Sequence, residues 1–255
     1  MAKIPLKTPS EIALMAEGGK KLGQILQRAL KRIKPGLSTW EIDNWIDREI
    51  VKAGGQASFK KVPGYCWASC TGLNSEVVHS IPRQDEIVQK GDLLKIDLGM
   101  LWQGFNTDMA WTVEVGSRQQ QKFLTAGKKA LAEAIKTAKV GNRVGDISRT
   151  IEKTLKRAGY HPVEVLTGHG IGRQLHEEPL VPGVLKARVE KTAELKPGMT
   201  LAIEVIYGQK TGEVVLAQDG WTILTKDGKI SGLFEKTIAI AEEKPLVLTP
   251  LSFDF

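Results

Sequence analysis

Residues 93–113 read LLKIDLGMLWQGFNTDMAWTV, two apolar-rich stretches joined at Trp102-Gln103-Gly104, each carrying one aspartate, Asp97 and Asp108. Apolar-rich runs of this length on either side of a Gly-containing turn predict an antiparallel β-hairpin. A turn centred on Trp102-Gln103 sets the two aspartates directly opposite each other on one face. At about 4 Å and an effective dielectric near 20, such a pair repels by roughly 4 kcal/mol. A shared proton or a divalent cation bridging both carboxylates would neutralise it.

Helical patterns flank the hairpin. Pro9-Ser10-Glu11 opens one that runs to residue 34 and stops at Pro35-Gly36; Ser38 or Thr39 caps a second that ends at Ala53-Gly54-Gly55. Residues 55–69 read as polar and irregular. After Gly116 the pattern starts again, with helical stretches over 119–140 and 146–157. At an offset of 105 residues Gly36 falls on Gly141, Ile42 on Ile147, Ile46 on Ile151, Ile50 on Leu155 and Ala53-Gly54 on Ala158-Gly159. A duplicated helix–helix–strand unit follows, with pseudo-two-fold symmetry and a site between its halves. Strand-like segments at 164–167, 200–207, 221–224 and 233–241 complete the chain, and no linker separates the halves. The expectation is a single domain over 1–255 of the α/β (α+β) class, with two helix pairs packed on an antiparallel sheet.

Composition narrows the function classes. A chain of 255 residues, 42% hydrophobic, can bury a large core. No apolar run reaches the length of a membrane span, and the N-terminal stretch lacks a signal-peptide pattern, so a cytoplasmic protein without a membrane partner is expected. Cys66 and Cys70 are the only two cysteines, which supports neither a disulfide framework nor a structural zinc site. The net charge of +7 comes largely from Lys20, Lys21, Arg28, Lys31, Arg32 and Lys34. Without interleaved aromatics these read as a solvated helix face and argue against sequence-specific nucleic-acid binding.

The second half supplies what the aspartate pair needs. Glu204 interrupts the apolar run MTLAIEVIYG, and Glu235 interrupts GLFEKTIAI. A lone carboxylate in a buried strand costs several kcal/mol unless it is paired or ligated. For either glutamate alone, a buried ion pair is the plain alternative. His169 lies in TGHGIG, where alternating glycines let the backbone pass close to another group, and His176 and His79 flank similar runs. Asp97, Asp108, His169, Glu204 and Glu235 together form an oxygen-rich set with one nitrogen. Such a set suits two divalent ions of the Mn, Fe(II), Co or Zn kind and metal-assisted hydrolysis.

HSIP at 79–82, KIDLG with Asp108 eleven residues after Asp97, TGHGIGRQLHEEP at 167–179, LKPGMTLAIE at 195–204 and DGWTILTKDG followed by FEKT resemble the methionine aminopeptidases, in their bacterial-like first type. That resemblance implies the pita-bread fold and a dinuclear metallo-exopeptidase. It implies Asp97 on one ion, His169 and Glu204 on the other, and Asp108 and Glu235 bridging. Glu204 would also shuttle a proton, His176 would contact the scissile carbonyl oxygen, His79 the peptide nitrogen, and Cys70 and Trp221 would line the methionine pocket. The implied substrates are N-termini of nascent polypeptides with a small second residue, of which Met1-Ala2 is itself an example. Ribosome association and a monomeric state are further expectations. Ser80, Leu175, Val205 and Lys236 depart from the family pattern, as does the Asn74-Ser75-Glu76 order. The alternatives are an aminopeptidase P or prolidase-like X-Pro peptidase, and a non-catalytic pita-bread binding protein.

Overall fold

The computed structural model describes residues 4–252, so Met1-Ala2 lies outside the described residues. In chain order the elements are α1 (Pro9–Arg32), α2 (Thr39–Lys52), β1 (Gln56–Ala57), β2 (Ser69–Leu73), β3 (Glu76–Val78), β4 (Leu93–Trp102) and β5 (Phe105–Glu114). Then come α3 (Gln121–Thr137), α4 (Val144–Arg157), β6 (His161–Pro162), β7 (Thr167–Gly170), β8 (Glu177–Pro182), β9 (Thr200–Gly208), β10 (Val214–Leu216), β11 (Ile223–Thr225), β12 (Ser231–Ala239) and β13 (Leu246–Val247). The architecture is α/β with antiparallel sheets and two helix pairs. Both first-half helices start on a reciprocal capping box, Thr8 with Glu11 and Ser38 with Glu41.

The duplication is visible in the backbone. Gly36 and Gly141 both turn the chain out of the first helix of a pair in the left-handed region, at φ of 95° and 87°. Each half then contributes a long antiparallel strand pair, β4 with β5 and β9 with β12. Between the halves β5 runs beside β12 without a shared backbone ladder. The Thr237 hydroxyl takes the Asp108 N–H at 2.9 Å and donates to the Asp108 carbonyl at 2.8 Å. The Thr112 hydroxyl does the same for Leu233, at 2.9 and 2.7 Å. Two threonines, one per half, thus replace ladder bonds across the seam and satisfy buried backbone groups that would otherwise lack partners.

Period-two alternation sorts the side chains of these strands. Leu94, Ile96, Leu98 and Met100 on β4, Met109 and Trp111 on β5, Leu201, Ile203, Val205 and Tyr207 on β9 and Phe234 and Ile238 on β12 join Leu22, Ile46, Ala130 and Ile151 of the four helices in the main core. The intervening positions face away from the helices, and these include Asp97, Asp108, Glu204 and Glu235. Burying each large aliphatic or aromatic side chain of that core contributes about 1.5–3 kcal/mol, which fixes strand register firmly and carries the acids with it.

Several boundaries differ from the sequence expectation. The hairpin turns on Gln103-Gly104, with Trp102 opposite Phe105, and both turn residues have positive φ, 49° and 82°. Twist-matched two-residue turns require that conformation. Asp97 therefore faces Ala110 and Asp108 faces Gly99, so the aspartates are diagonal neighbours and not directly opposed. The directly opposed acid pair is Glu204 and Glu235, on β9 and β12. Helix α1 ends at Arg32, where Ile33 turns extended ahead of Pro35, and α3 spans only Gln121–Thr137, with Ala138 leaving the helical conformation. The strand expected over 164–167 begins at Thr167, and Trp221 precedes its strand, which starts at Ile223.

Candidate active site

A cavity of about 360 Å³ opens between the two strand pairs, and its lining includes Cys70, His79, Asp97, Asp108, His169, His176, Glu204, Trp221 and Glu235. All nine residues singled out from the sequence thus reach one place. Asp97 and Asp108 come from the first hairpin, and Glu204 and Glu235 from the second strand pair. His169 enters from β7, where its partner in register is Ala202, two residues from Glu204 on the same face.

The acids crowd together. Asp108, His169 and Glu235 each present one ligand atom within 4.8 Å of the others, and all three are buried. The His169 Nε2 lies 3.6 Å from the Glu204 Oε1. Its Nδ1 is 2.9 Å from the Gly170 carbonyl oxygen, which can only accept, so the proton resides on Nδ1 and the Nε2 lone pair points at the carboxylates.

Burial, followed by repulsion from Asp108 and Glu204, holds the Asp97 carboxyl well above its usual range. Burial pushes Asp108 up to about 7. Glu204 is raised by burial and then by Asp108, and Glu235 by burial and then by Asp108, Glu204 and Asp97. Burial and the neighbouring His176 press His169 down to about 4.

Five buried side-chain polar atoms among the described residues lack a hydrogen-bond partner, and three of them belong to this cluster: Asp97 Oδ1, Asp108 Oδ1 and Glu235 Oε1. Each such group costs about 1–3 kcal/mol, more if charged. A set of buried acceptors and one imidazole lone pair fits divalent cations preferring oxygen and nitrogen ligands.

An apolar recess adjoins the acids. Phe59, Tyr65 and Cys70 form a small buried cluster with Val62, Trp67, Leu175 and Trp221 packed against it. Tyr65 meets Trp221 edge to face at 5.1 Å, and its hydroxyl lies 2.9 Å from the Ser69 carbonyl, 3.1 Å from the Cys70 Sγ and 3.2 Å from the Ser80 carbonyl. Phe59 and Tyr65 lie in the stretch whose sequence predicts irregular structure, where the aromatics at 59, 65 and 67 are the one signal of a packed wall.

His79 and His176 stand at the mouth, each with an exposed edge. Crowding by the cavity walls lowers both pKa values, with His176 adding to the effect on His79. His79 occupies the left-handed region at φ 56°, a conformation a non-glycine residue holds only where its surroundings impose it. The residues that depart from the family pattern sit around the acids without joining them. Val205 is in the main core, Leu175 borders the recess, Ser80 is buried, and the Lys236 Nζ donates to the Thr249 carbonyl at 3.1 Å.

The sequence of residues 13–242 matches the model of metallopeptidase family M24. Over 256 residues the chain is 37% identical to the methionine aminopeptidase of Aquifex aeolicus, covering 97% of this chain and 99% of that one. The chain belongs to the methionine aminopeptidases of metallopeptidase family M24. A second member, methionine aminopeptidase 1 of Bacillus subtilis, is 37% identical over 245 residues, covering 95% of this chain and 98% of that one. The crystal structure of the Thermotoga maritima methionine aminopeptidase superposes with a TM-score of 0.93 at 35% identity, covering 97% and 99% of the two chains. The prolidase of Pyrococcus furiosus shares the fold, at a TM-score of 0.79 and 21% identity, and this chain covers 66% of it. Membership makes the chain a metal-dependent aminopeptidase with the pita-bread fold. Among the described residues no helix is long and apolar enough to cross a membrane.

Proposed function

We propose that the chain, acting as one catalytic domain, removes the initiator methionine from nascent polypeptides whose second residue is small. Two divalent ions would be held by Asp97, Asp108, His169, Glu204 and Glu235. The observation that carries the reading is the meeting of three unpartnered carboxylate oxygens with an imidazole lone pair beside an apolar recess. Manganese, iron(II), cobalt and zinc all suit the donor set. When bound, the ions supply Lewis acidity and lower the pKa of water at the site.

The side chains divide the remaining work. The recess walled by Cys70 and Trp221 takes the methionine side chain, whose thioether packs well against aromatic edges. That anchoring leaves the first peptide bond beside Glu204. Glu204 is placed to accept the proton of the attacking water and return it to the leaving amine. His176, neutral at pH 7, donates to the scissile carbonyl oxygen as negative charge develops there, and His79 bonds the peptide nitrogen. The free N-terminus of a nascent chain is the partner this geometry serves, which agrees with a cytoplasmic, monomeric enzyme. The exposed face of Lys20, Arg28, Lys31, Arg32 and Lys34 on and after α1 is a candidate ribosome contact.

Hydrolysis of Met-Ala-Ser beside Ala-Pro-Ala, with bound metal counted after purification without chelator, tests the reading. Selective release of methionine and about two ions per chain are expected. Preferential cleavage of the proline peptide would instead favour a prolidase-like activity, and fewer than about one ion at saturating manganese would favour a non-catalytic binding protein.

A further inference from the structure

The seven-residue step from His169 to His176 is a loop held from two sides. On one side the Gly172 carbonyl accepts from the Asn106 N–H at 2.7 Å and from the Asn106 Nδ2 at 3.0 Å, two residues before Asp108 on β5. On the other side Glu177, the residue after His176, forms an ion pair with Lys7. Both side chains are buried, at 4% and 7% exposure. The second Glu177 oxygen accepts from the Gln174 N–H at 3.0 Å, which closes the loop on itself.

The N-terminal segment is built to deliver that lysine. Thr8 caps α1 and fixes where residue 7 lies, and the Lys7 N–H donates to the Gly198 carbonyl at 2.7 Å. A Cβ on Gly172 would stand 2.3 Å from the Lys7 Cε, so glycine at 172 is what admits the side chain. Nothing in the chemistry above uses Lys7, yet a buried charged pair is retained one residue from His176.

We propose that Lys7 is a positioning residue of the active site: by neutralising and fixing Glu177 it sets the orientation of the His176 imidazole, so the site is complete only when the N-terminal segment is docked. The inference rests on the role given to His176 above. A neutral Lys7→Met side chain fills similar space but leaves Glu177 without its cation. The loop then gains freedom where His176 must meet the substrate carbonyl, and misplacement by about 1 Å costs on the order of a hundredfold in rate.

Full-length Lys7→Met, Glu177→Gln and the double variant decide the matter. In Lys7→Met the kcat on Met-Ala-Ser is expected to fall by about tenfold or more, with KM and bound-metal stoichiometry near wild type. Imidazole NMR signals of His176 in metal-free protein, assigned with His176→Gln, are expected to move while those of His161 stay. Wild-type kcat with unmoved His176 signals in Lys7→Met would overturn the proposal. Should Lys7→Met fail to fold, the double variant carries no unpaired charge: low kcat with displaced His176 signals supports the proposal, and wild-type behaviour rejects it. A wild-type protein that does not cleave Met-Ala-Ser would reject the proposed function, while the NMR comparison would still judge Lys7.

Discussion

Replacing Asp108 with asparagine separates the stability of the scaffold from the needs of the site. In the absence of metal, Asp108 keeps its proton up to about pH 7, against an ordinary carboxylate value near 3.8, because burial disfavours the charge. An acid whose folded pKa is raised binds protons the unfolded chain has released. Folding stability therefore falls as pH rises from about 4 through about 7, and the loss for one such group is roughly 4 kcal/mol. The amide of the Asp108→Asn variant cannot ionise and escapes that loss, while the Thr237 bonds to the backbone at 108 remain. For a chain of this size 1 kcal/mol corresponds to roughly 2–4 °C in Tm. After chelation and dialysis, the melting temperatures of wild type and Asp108→Asn should differ by only a few degrees at pH 5, where about 1–2 kcal/mol of that loss has accrued. They should diverge by about 10 °C in favour of the variant at pH 8.5, less where water or buffer cations relieve the cluster. Saturating manganese should then raise the wild type well above its apo value and leave Asp108→Asn nearly unmoved and inactive. A gap between the apo proteins that does not change from pH 5 to 8.5, or a variant that binds metal and turns over normally, would refute the reasoning.

Three further outcomes are expected. His176→Ala should lower kcat on Met-Ala-Ser by about 10²–10³ with little change in metal content, as loss of one donor to a developing oxyanion does; steady-state kinetics with metal analysis would expose an inert position as unchanged kcat. Thr237→Val should strip the Asp108 N–H and carbonyl of their partner, costing about 2–4 kcal/mol of stability and weakening metal binding, which urea unfolding and metal titration can read. Its symmetry mate Thr112→Val should cost similar stability yet leave metal affinity closer to wild type, because Leu233 is not in the acid cluster. Trp221→Ala opens one wall of the recess and should raise KM for methionine peptides more than it lowers kcat; an unaltered KM would remove Trp221 from the pocket.

Local chemistry makes much of this protein legible in its sequence. Capping boxes, glycine stops and apolar periodicity depend on neighbours within a few residues, so the four helices and their duplication could be read directly, with errors confined to ragged ends such as residues 33–34 and 138–140. A charged residue inside an apolar strand is informative for the same reason, and Asp97, Asp108, Glu204 and Glu235 were marked by the cost of burying them. The short strands β2, β3 and β8 escaped notice because three to six residues carry too little periodic signal. The aspartate register differs from the sequence expectation because turns centred on Trp102-Gln103 and on Gln103-Gly104 are both compatible with the local sequence, and only the second is formed.

Tertiary structure alone decided the rest. Which acids face one another follows from a turn in which Gln103 and Gly104 both take positive φ, and from pairing between β9 and β12 over some thirty intervening residues. The Thr237 and Thr112 bridges, the Tyr65 wall and the Lys7–Glu177 pair join positions far apart in the chain, and no local preference of any of these residues announces its partner. The sequence determined which groups could not tolerate being buried alone; packing the two halves across one seam determined which other groups each would meet, because only burial removes the water that would otherwise serve them.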